Sequence, residues 1–344
     1  MTVHVYTSFS YSYLDRARVL AKSLKSNHPD WMLWAVITDQ PPPGFAIDLE
    51  SENFDKILTA VDLFGKQTET WLFTMDIVEA CTAVKGRALQ YLLALPECTK
   101  VMYFDPDIAV FNTLSPIEKL LDKHPVVLTP HQIDPDEKSD RQAIIDNEIA
   151  SLTYGVFNLG FIAVANTPEG NRFANWWADR LQDWCHDRLE SGIFVDQKWC
   201  NLIPCFFENV YVLRDPGYNV ASWNLSQRQM VFDTAGKALI NGRLLRFYHF
   251  TKLGPIGDTM TRRYAGGNIE IYELWTWYRQ QITAASEASI PKGWWHYGVF
   301  DNGEPVPKSS RYLYRDRDDL KTKFDAPFSV ANGFYDWQKN QALA

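Results

Sequence analysis

The chain has 344 residues, 46% hydrophobic and 22% charged, which is enough for one large α/β domain or two smaller ones. A net charge of −8 without a strong basic stripe argues against nucleic acid as the main partner, because phosphate neutralisation drives that binding. No uncharged apolar run reaches the roughly 18 residues that a membrane span needs, so we expect a cytoplasmic protein.

The first strands and helices alternate along the chain. Residues 2–9 predict an apolar strand that runs into a hydroxyl-rich turn, and residues 14–24 place apolar side chains at helical spacing. Residues 32–39 predict a second apolar strand. Near-continuous apolar strands joined by a helix are typical of a parallel sheet that is covered on both faces. We therefore expect an α/β fold with a mostly parallel sheet flanked by helices.

The alternation continues into the middle of the chain. Residues 54–60 suggest a short strand, residues 84–95 predict a helix, and residues 100–104 predict a buried strand. Ser115, with Glu118 three residues later, predicts a capping box at the start of a short helix.

The second half predicts strands at 126–130 and 157–165, separated by a polar loop that begins with residues 131–142. A helix opening at Thr167-Pro168 carries an apolar face that we assign to the core, formed by Phe173, Trp176, Trp177, Leu181 and Trp184. We expect a main domain over residues 1–265. A helical, aromatic-rich extension over residues 266–344 is expected to pack on the site or cap it. The five cysteines include no CxxC pair, which suits a reducing compartment.

Two carboxylates mark the end of the strand at 100–104. Open α/β sheets bind ligands at the carboxyl ends of their strands, and alternation points Asp105 and Asp107 to the same side. Mg²⁺ and Mn²⁺ prefer such oxygen ligands. The alternative is a solvated turn, since Asp-Pro-Asp is common turn chemistry. A second triplet of the same kind, Asp134-Pro135-Asp136, lies inside a charged loop, whereas Asp105 directly follows a buried strand. We therefore predict a metal site at the first triplet and a turn at the second.

The segment VMYFDPDIAVF resembles the DxD strand of the GT-A glycosyltransferases. The order of motifs is similar to family 8, the group of glycogenin and the lipopolysaccharide galactosyltransferases. The resemblance spans roughly residues 3–255. The other matching segments are VHVYTSFSYSYLDRARVLAKSL at the start, FNLGFIAVAN, DQKWCN and FYHFTKLGP.

The resemblance implies a metal-dependent site. Asp105 and Asp107 would bind Mn²⁺ or Mg²⁺, with His249 as the third ligand. The residues implied to contact the nucleotide, its phosphates or the donor sugar are Tyr6, Thr7, Ser8, Lys85, Asp105 and Lys252. Lys85 stands where the family usually has an arginine, and Lys252 comes earlier than the usual spacing.

Three further residues would act at the reacting sugar. The resemblance implies that Asn158 reaches the donor sugar or the reaction face, that Asp196 holds donor hydroxyls, and that Gln197 lies under the anomeric carbon. Taken alone, Asn158 could instead serve strand-end hydrogen bonding, Asp196 could be a helix N-cap, and His249 could be a core histidine.

The implied activity is transfer of a sugar from a nucleotide-diphosphate sugar, with a UDP-sugar favoured, to a glycan or lipid-linked acceptor, as in polysaccharide biosynthesis. Family 8 enzymes retain the anomeric configuration. We expect front-face transfer, since no carboxylate nucleophile is evident and Gln197 would be a poor one. An inverting transferase would need a base, either Asp196 or an acid within 134–148. A nucleotidyltransferase would need a Gly-rich basic loop after the first strand, and a non-catalytic sugar-binding protein would need no metal.

Two loops offer an acceptor site. These are residues 131–153 and residues 217–228, the second of which carries Tyr218, Trp223 and Asn224. Indoles favour membrane interfaces, so the terminal region could make peripheral membrane contact. Its tryptophans are Trp275, Trp277, Trp294 and Trp295.

Overall fold

The computed structural model describes residues 2–341. A seven-stranded sheet forms its centre, in the order β10-β6-β7-β4-β1-β2-β3. The strands are β1 (Thr2–Phe9), β2 (Met32–Ile37), β3 (Lys56–Thr59), β4 (Cys98–Phe104), β5 (Ile108–Val110), β6 (Val126–Pro130), β7 (Phe157–Ala165), β8 (Asp187–Arg188), β9 (Ile193–Phe194), β10 (Tyr211–Val212), β11 (Met230–Phe232), β12 (Ala238–Ile240), β13 (Arg243–Leu244) and β14 (Phe247–His249).

Helices cover both faces of this sheet. The α-helices are α1 (Leu14–Asn27), α2 (Ala60–Phe64), α3 (Thr68–Phe73), α4 (Ile77–Leu93), α5 (Ser115–Leu120), α6 (Arg141–Ala143), α7 (Ala150–Tyr154), α8 (Pro168–Trp184), α9 (Ile203–Phe206), α10 (Pro255–Ala265), α11 (Ile269–Ala285), α12 (Lys308–Arg315), α13 (Asp318–Lys323) and α14 (Phe334–Gln341). A π-helical segment, Ile144–Ile149, joins α6 to α7.

The predicted fold class is confirmed. Four of the neighbouring strand pairs in the main sheet are parallel, and β7 alone runs antiparallel to its two neighbours, β4 and β6. Every residue of β7 is buried, and β1 is buried along all but its first residue. Burial on both faces explains why these strands read as continuous apolar runs in the sequence.

The capping box predicted at Ser115 is wrong. Helix α5 already includes Ser115, and its N-cap position is Leu114, which has no capping side chain. The backbone N–H of Leu114 donates instead to the Nε2 atom of His28, 2.7 Å away, and the N–H of Ser115 donates to Thr113. The N–H groups of Leu114 and Ser115 are therefore satisfied by side chains that precede the helix, and no capping box forms.

Other boundaries and one core residue also differ from the predictions. Helix α4 begins at Ile77, earlier than predicted, because Asp76 and Glu79 form a capping box. The loop predicted over residues 131–142 turns helical at Arg141, where the Asp140 side chain accepts the N–H of Ala143. In α8, which Thr167 caps as predicted, four of the five expected core side chains are buried or half-buried, but Trp184 is 53% exposed.

The extension packs on the rest of the protein in two places. Helix α11 stacks Tyr278 on Phe250, with ring centroids 3.7 Å apart. Helix α12 places Arg311 against the end of α3, where its guanidinium donates to the backbone oxygens of Leu72, Phe73 and Met75. The division at residue 265 and the capping of the site by the extension stay predictions.

Two further features concern the whole described chain. Among residues 2–341, no helix has both the length and the apolar character needed to cross a bilayer. All five cysteines are free thiols.

Candidate active site

Strand pairing brings together the three residues expected to bind a metal. Asp105 directly follows β4, and its N–H donates to the backbone oxygen of Gly160, 2.8 Å away in β7. The short strand β5 then pairs antiparallel with β14, so that Ile108 faces His249. The N–H of Phe250 donates to the backbone oxygen of Asp107 at 2.8 Å. A histidine 142 positions after Asp107 thereby lies beside it.

The three side chains form a compact ligand set. The Nε2 atom of His249 lies 3.0 Å from Oδ1 of Asp107 and 3.7 Å from Oδ2 of Asp105. One ligand atom from each residue lies within 4.8 Å of the others, and among residues 2–341 this is the one group of three or more such residues so arranged. Two carboxylates and an imidazole suit Mn²⁺ or Mg²⁺, which take oxygen ligands and accept nitrogen. The residues present therefore fit the implied metal.

Charge couples the members of this set. Burial opposes ionisation of both Asp107 and His249. The electrostatic attraction and hydrogen bond between the two side chains outweigh this effect of burial. They lower the pKa of Asp107 and raise the pKa of His249.

Lys85 links the metal set to the predicted sugar-binding acid. Its ammonium lies 3.1 Å from Oδ1 of Asp105 and 2.8 Å from Oδ2 of Asp196, and it also donates to the backbone oxygen of Leu159. All three ammonium hydrogens are thus engaged within the protein. Burial disfavours the charge on Lys85, yet the two acids hold its pKa above the ordinary value, and burial raises the pKa of Asp196. Asp196 is an ion-pair partner here and does not cap a helix.

Asn158 and Gln197 lie side by side behind this ion-pair cluster. The Nδ2 atom of Asn158 is 3.5 Å from Oε1 of Gln197, and the Gln197 amide nitrogen donates to the backbone oxygen of Tyr154 at 3.0 Å. Both side chains are buried.

These residues open into a cavity of about 750 Å³. Seven of the predicted site residues line it, whereas Asp107 and the three predicted nucleotide contacts on β1 do not. The site residues in its wall are Lys85, Asp105, Asn158, Asp196, Gln197, His249 and Lys252.

The predicted contacts to the nucleotide and its phosphates differ in their surroundings. Lys252 is exposed in the cavity wall and has a left-handed backbone, with φ of 54°. Tyr6, Thr7 and Ser8 are buried within β1, and Tyr6 donates to the backbone oxygen of Lys85 at 3.0 Å. Their contact with a nucleotide stays a prediction.

Sequence reasoning did not single out four residues that hold the site together. Tyr103 donates to Asp105 at 2.6 Å, and His131, Asn219 and Gly160 surround Asn158. Tyr103 was accessible from the sequence, because alternation along β4 places residues 103 and 105 on one side of the sheet. His131 and Asn219 lie in loops, where no periodic pattern indicates a neighbour.

The two loops expected to receive the acceptor both reach the site region. Trp223 lines the cavity and contacts the His249 ring edge to face, with centroids 5.3 Å apart. Asn224 is buried and donates to the backbone oxygen of Asn219, while Tyr218 is buried against Phe247. Residues 145–151 contribute a second wall of the cavity.

The tryptophans of the extension make contacts inside the protein. Trp275 is buried and donates to the Tyr248 hydroxyl at 3.0 Å, and Trp294 donates to the backbone oxygen of Gln40 at 2.8 Å. Trp277 is half-buried against Phe111.

Fold and site together define an α/β protein with a carboxylate–imidazole cluster at the carboxyl edge of a parallel sheet. No family model matches the chain. YfnF of Bacillus subtilis strain 168, a protein of uncharacterised function, is 27% identical over 255 residues, covering 73% of this chain and 82% of that protein. YfnD of the same strain, also uncharacterised, is 30% identical over 99 residues, covering 28% of this chain and 32% of that protein.

Three of the solved structures that resemble the chain are of glycosyltransferases. The galactosyltransferase LgtC, in complex with donor and acceptor sugar analogues, is 15% identical and covers 85% of this chain and 99% of its own, with a TM-score of 0.48. Apo GlyE of Streptococcus pneumoniae TIGR4 is 14% identical, and the match covers 87% of this chain and 66% of GlyE with a TM-score of 0.45. Mouse xyloside xylosyltransferase 1 is 14% identical, and the match covers 74% of this chain and 99% of that enzyme with a TM-score of 0.39. Similarity at this level leaves the activity to be argued from the site.

Proposed function

We propose that the protein is a metal-dependent glycosyltransferase that moves a sugar from a nucleotide-diphosphate sugar to a glycan or lipid-linked acceptor. One observation carries the proposal. Asp105, Asp107 and His249 converge at the carboxyl edge of a parallel sheet, beside a cavity large enough for a nucleotide sugar. When bound there, Mn²⁺ or Mg²⁺ would supply positive charge to a departing diphosphate.

The protein's own residues prepare the donor side of the reaction. Lys85 holds Asp105 and Asp196 in fixed positions, so that the two carboxylates present a defined set of hydrogen-bond acceptors to the donor. Lys252, exposed in the cavity wall, can place a positive charge near phosphate oxygens. UDP is the nucleotide we favour for the donor, on the family resemblance alone.

The acceptor would enter between Trp223 and the helical wall at 145–151. An aromatic ring beside a polar cavity suits the alternating apolar and hydroxyl faces of a sugar. Contact with a membrane surface and a cytoplasmic location complete the proposal, although Trp275 and Trp294 find their hydrogen-bond partners within the protein.

We expect transfer with retention of the anomeric configuration. Gln197 is a weak nucleophile and donates its amide to Tyr154, while Asp196 is paired to Lys85, so neither offers a free carboxylate for a covalent intermediate. In front-face transfer a leaving-group oxygen helps take the acceptor proton, so the reaction needs no protein nucleophile and no covalent intermediate. Proton NMR of the first-formed product, taken before mutarotation, measures the configuration.

Inversion in that spectrum would contradict front-face transfer and would demand a general base. Asp146 is the acid from residues 134–148 that lines the cavity, but it is engaged by Arg263 and Tyr264. Asp196 would be the other candidate.

The proposed activity is tested by thermal shift with a panel of nucleotide sugars, with and without Mn²⁺. A ligand that binds only the folded state adds about 2.7 kcal/mol to the free energy of unfolding at 100 times its Kd. The melting temperature rises as a result. We expect one or more nucleoside-diphosphate sugars to stabilise the protein only when Mn²⁺ is present. Stabilisation by a free sugar without metal would favour a sugar-binding protein instead.

A further inference from the structure

The amide of Asn158 has one orientation that its neighbours permit. Its Oδ1 atom lies 3.1 Å from the backbone nitrogen of Gly160 and 3.0 Å from Nδ2 of Asn219. A backbone N–H can only donate, so the side-chain atom that it meets is the amide oxygen and not the nitrogen. The opposite end of the amide, Nδ2, lies 3.2 Å from the Nε2 atom of His131. Asn219 is itself fixed, since it donates to the Thr129 hydroxyl at 2.9 Å.

The same oxygen decides which nitrogen of His249 carries hydrogen. The Nδ1 atom of His249 lies 3.2 Å from Oδ1 of Asn158. An amide oxygen accepts only, so Nδ1 must be the donor in this contact. Without a metal, Nε2 meets an acceptor as well, the Asp107 carboxylate 3.0 Å away, and donates to it. A metal held by Asp105, Asp107 and His249 would take the place of the hydrogen on Nε2, while Nδ1 would keep its own.

A glycine makes this contact possible. A Cβ atom on Gly160 would lie 2.4 Å from Cε1 and 2.6 Å from Nδ1 of His249, and 2.8 Å from Oδ1 of Asn158. Any side chain at position 160 would therefore displace either the imidazole or the amide.

We propose that Asn158 is a positioning residue that keeps hydrogen on Nδ1 of His249, so that Nε2, the nitrogen facing Asp105 and Asp107, is the one available to a metal, with Gly160 leaving room for the ring. The inference rests on the proposed function, because it concerns the side chain that would bind the metal. It assigns the Asn–Leu–Gly stretch of β7 to the support of His249, where the resemblance implied contact with the donor sugar. Hydrogen bonds of this kind orient metal-binding histidines and raise their basicity.

The consequence for metal binding is measured by titrating the protein with Mn²⁺ and following free Mn²⁺ by EPR. We expect Asn158→Leu to weaken Mn²⁺ binding by about 10- to 100-fold, the usual effect of losing such a support. Asn158→Asp keeps an oxygen acceptor for Nδ1 and is expected to bind Mn²⁺ as tightly as the unaltered protein or more tightly. Asn147→Leu is the matched control. It removes an equally buried cavity-lining amide that donates to Asp136 and Ser226, and its Mn²⁺ affinity is expected to be unchanged.

The outcomes separate the two proposals. Failure of the unaltered protein to bind Mn²⁺ would overturn the proposed function, and with it the purpose assigned to Asn158. Binding that Asp107→Asn abolishes but Asn158→Leu leaves unchanged would keep the metal site and overturn the positioning role. Equal weakening in Asn158→Leu and Asn147→Leu would show a general effect of packing and would also overturn it.

Discussion

Replacing Asp107 by asparagine is expected to lower kcat/KM for sugar transfer by at least about 10²- to 10³-fold, the cost of losing one preorganised electrostatic group at a reacting centre. Asparagine keeps the size of the side chain and removes the charge that lies 3.0 Å from His249. The melting temperature should stay close to that of the unaltered protein, and Mn²⁺ binding followed by EPR should fall together with the activity.

The matched control is Asp134→Asn. Asp134 belongs to a second Asp-Pro-Asp triplet, is exposed, and lies outside the three-residue ligand set. The same change of charge there should leave Mn²⁺ affinity and transfer unaltered. Full activity in Asp107→Asn would rule out the proposed metal site. Equal losses of activity in Asp107→Asn and Asp134→Asn would indicate an effect of net charge instead.

Replacing Lys85 by methionine is expected to lower the free energy of unfolding by about 3–5 kcal/mol, the cost of leaving a buried charge without its partner. The Asp196 side chain is 3% exposed and has its ammonium partner 2.8 Å away. Methionine keeps an unbranched apolar side chain that is one atom shorter than that of lysine and carries no charge. The measurement is urea-induced unfolding followed by fluorescence.

Two further variants sharpen this experiment. Lys85→Met combined with Asp196→Asn should recover much of the loss, because the uncompensated charge is then gone. Lys308→Met removes a lysine that pairs with Asp76 at 3.0 Å but is 48% exposed, and we expect a loss of about 1 kcal/mol or less. A comparable loss of unfolding free energy in Lys85→Met and Lys308→Met would show that burial does not make the Lys85 ion pair more important for stability than an exposed pair.

Periodicity and strand ends made part of the site predictable. Asp105 and Asp107 follow an apolar strand, and this local pattern was enough to predict two carboxylates at the carboxyl edge of a sheet. His249 could be proposed only through the family resemblance, since its own segment is equally compatible with a core histidine. The antiparallel pairing of β5 with β14 is what brings it to Asp107.

Several contacts that the sequence did not reveal join residues far apart in the chain. The acceptor for the N–H of Leu114 comes from His28, and the residues that orient Asn158 come from two separate loops through His131 and Asn219. Hydrogen-bond partners far apart in sequence leave no periodic trace, because periodicity reports only which face of an element is buried.

The sequence by itself determined the fold class, the positions of the main strands along the chain and the acidic pair, since each depends on local apolar runs and on the residues that end them. Only the tertiary structure decided which atoms meet: the imidazole with the acids, Lys85 between two carboxylates, and the Asn158 amide against one ring nitrogen. Such contacts depend on the register between distant strands and on the space left by Gly160, and both are properties of the packed chain.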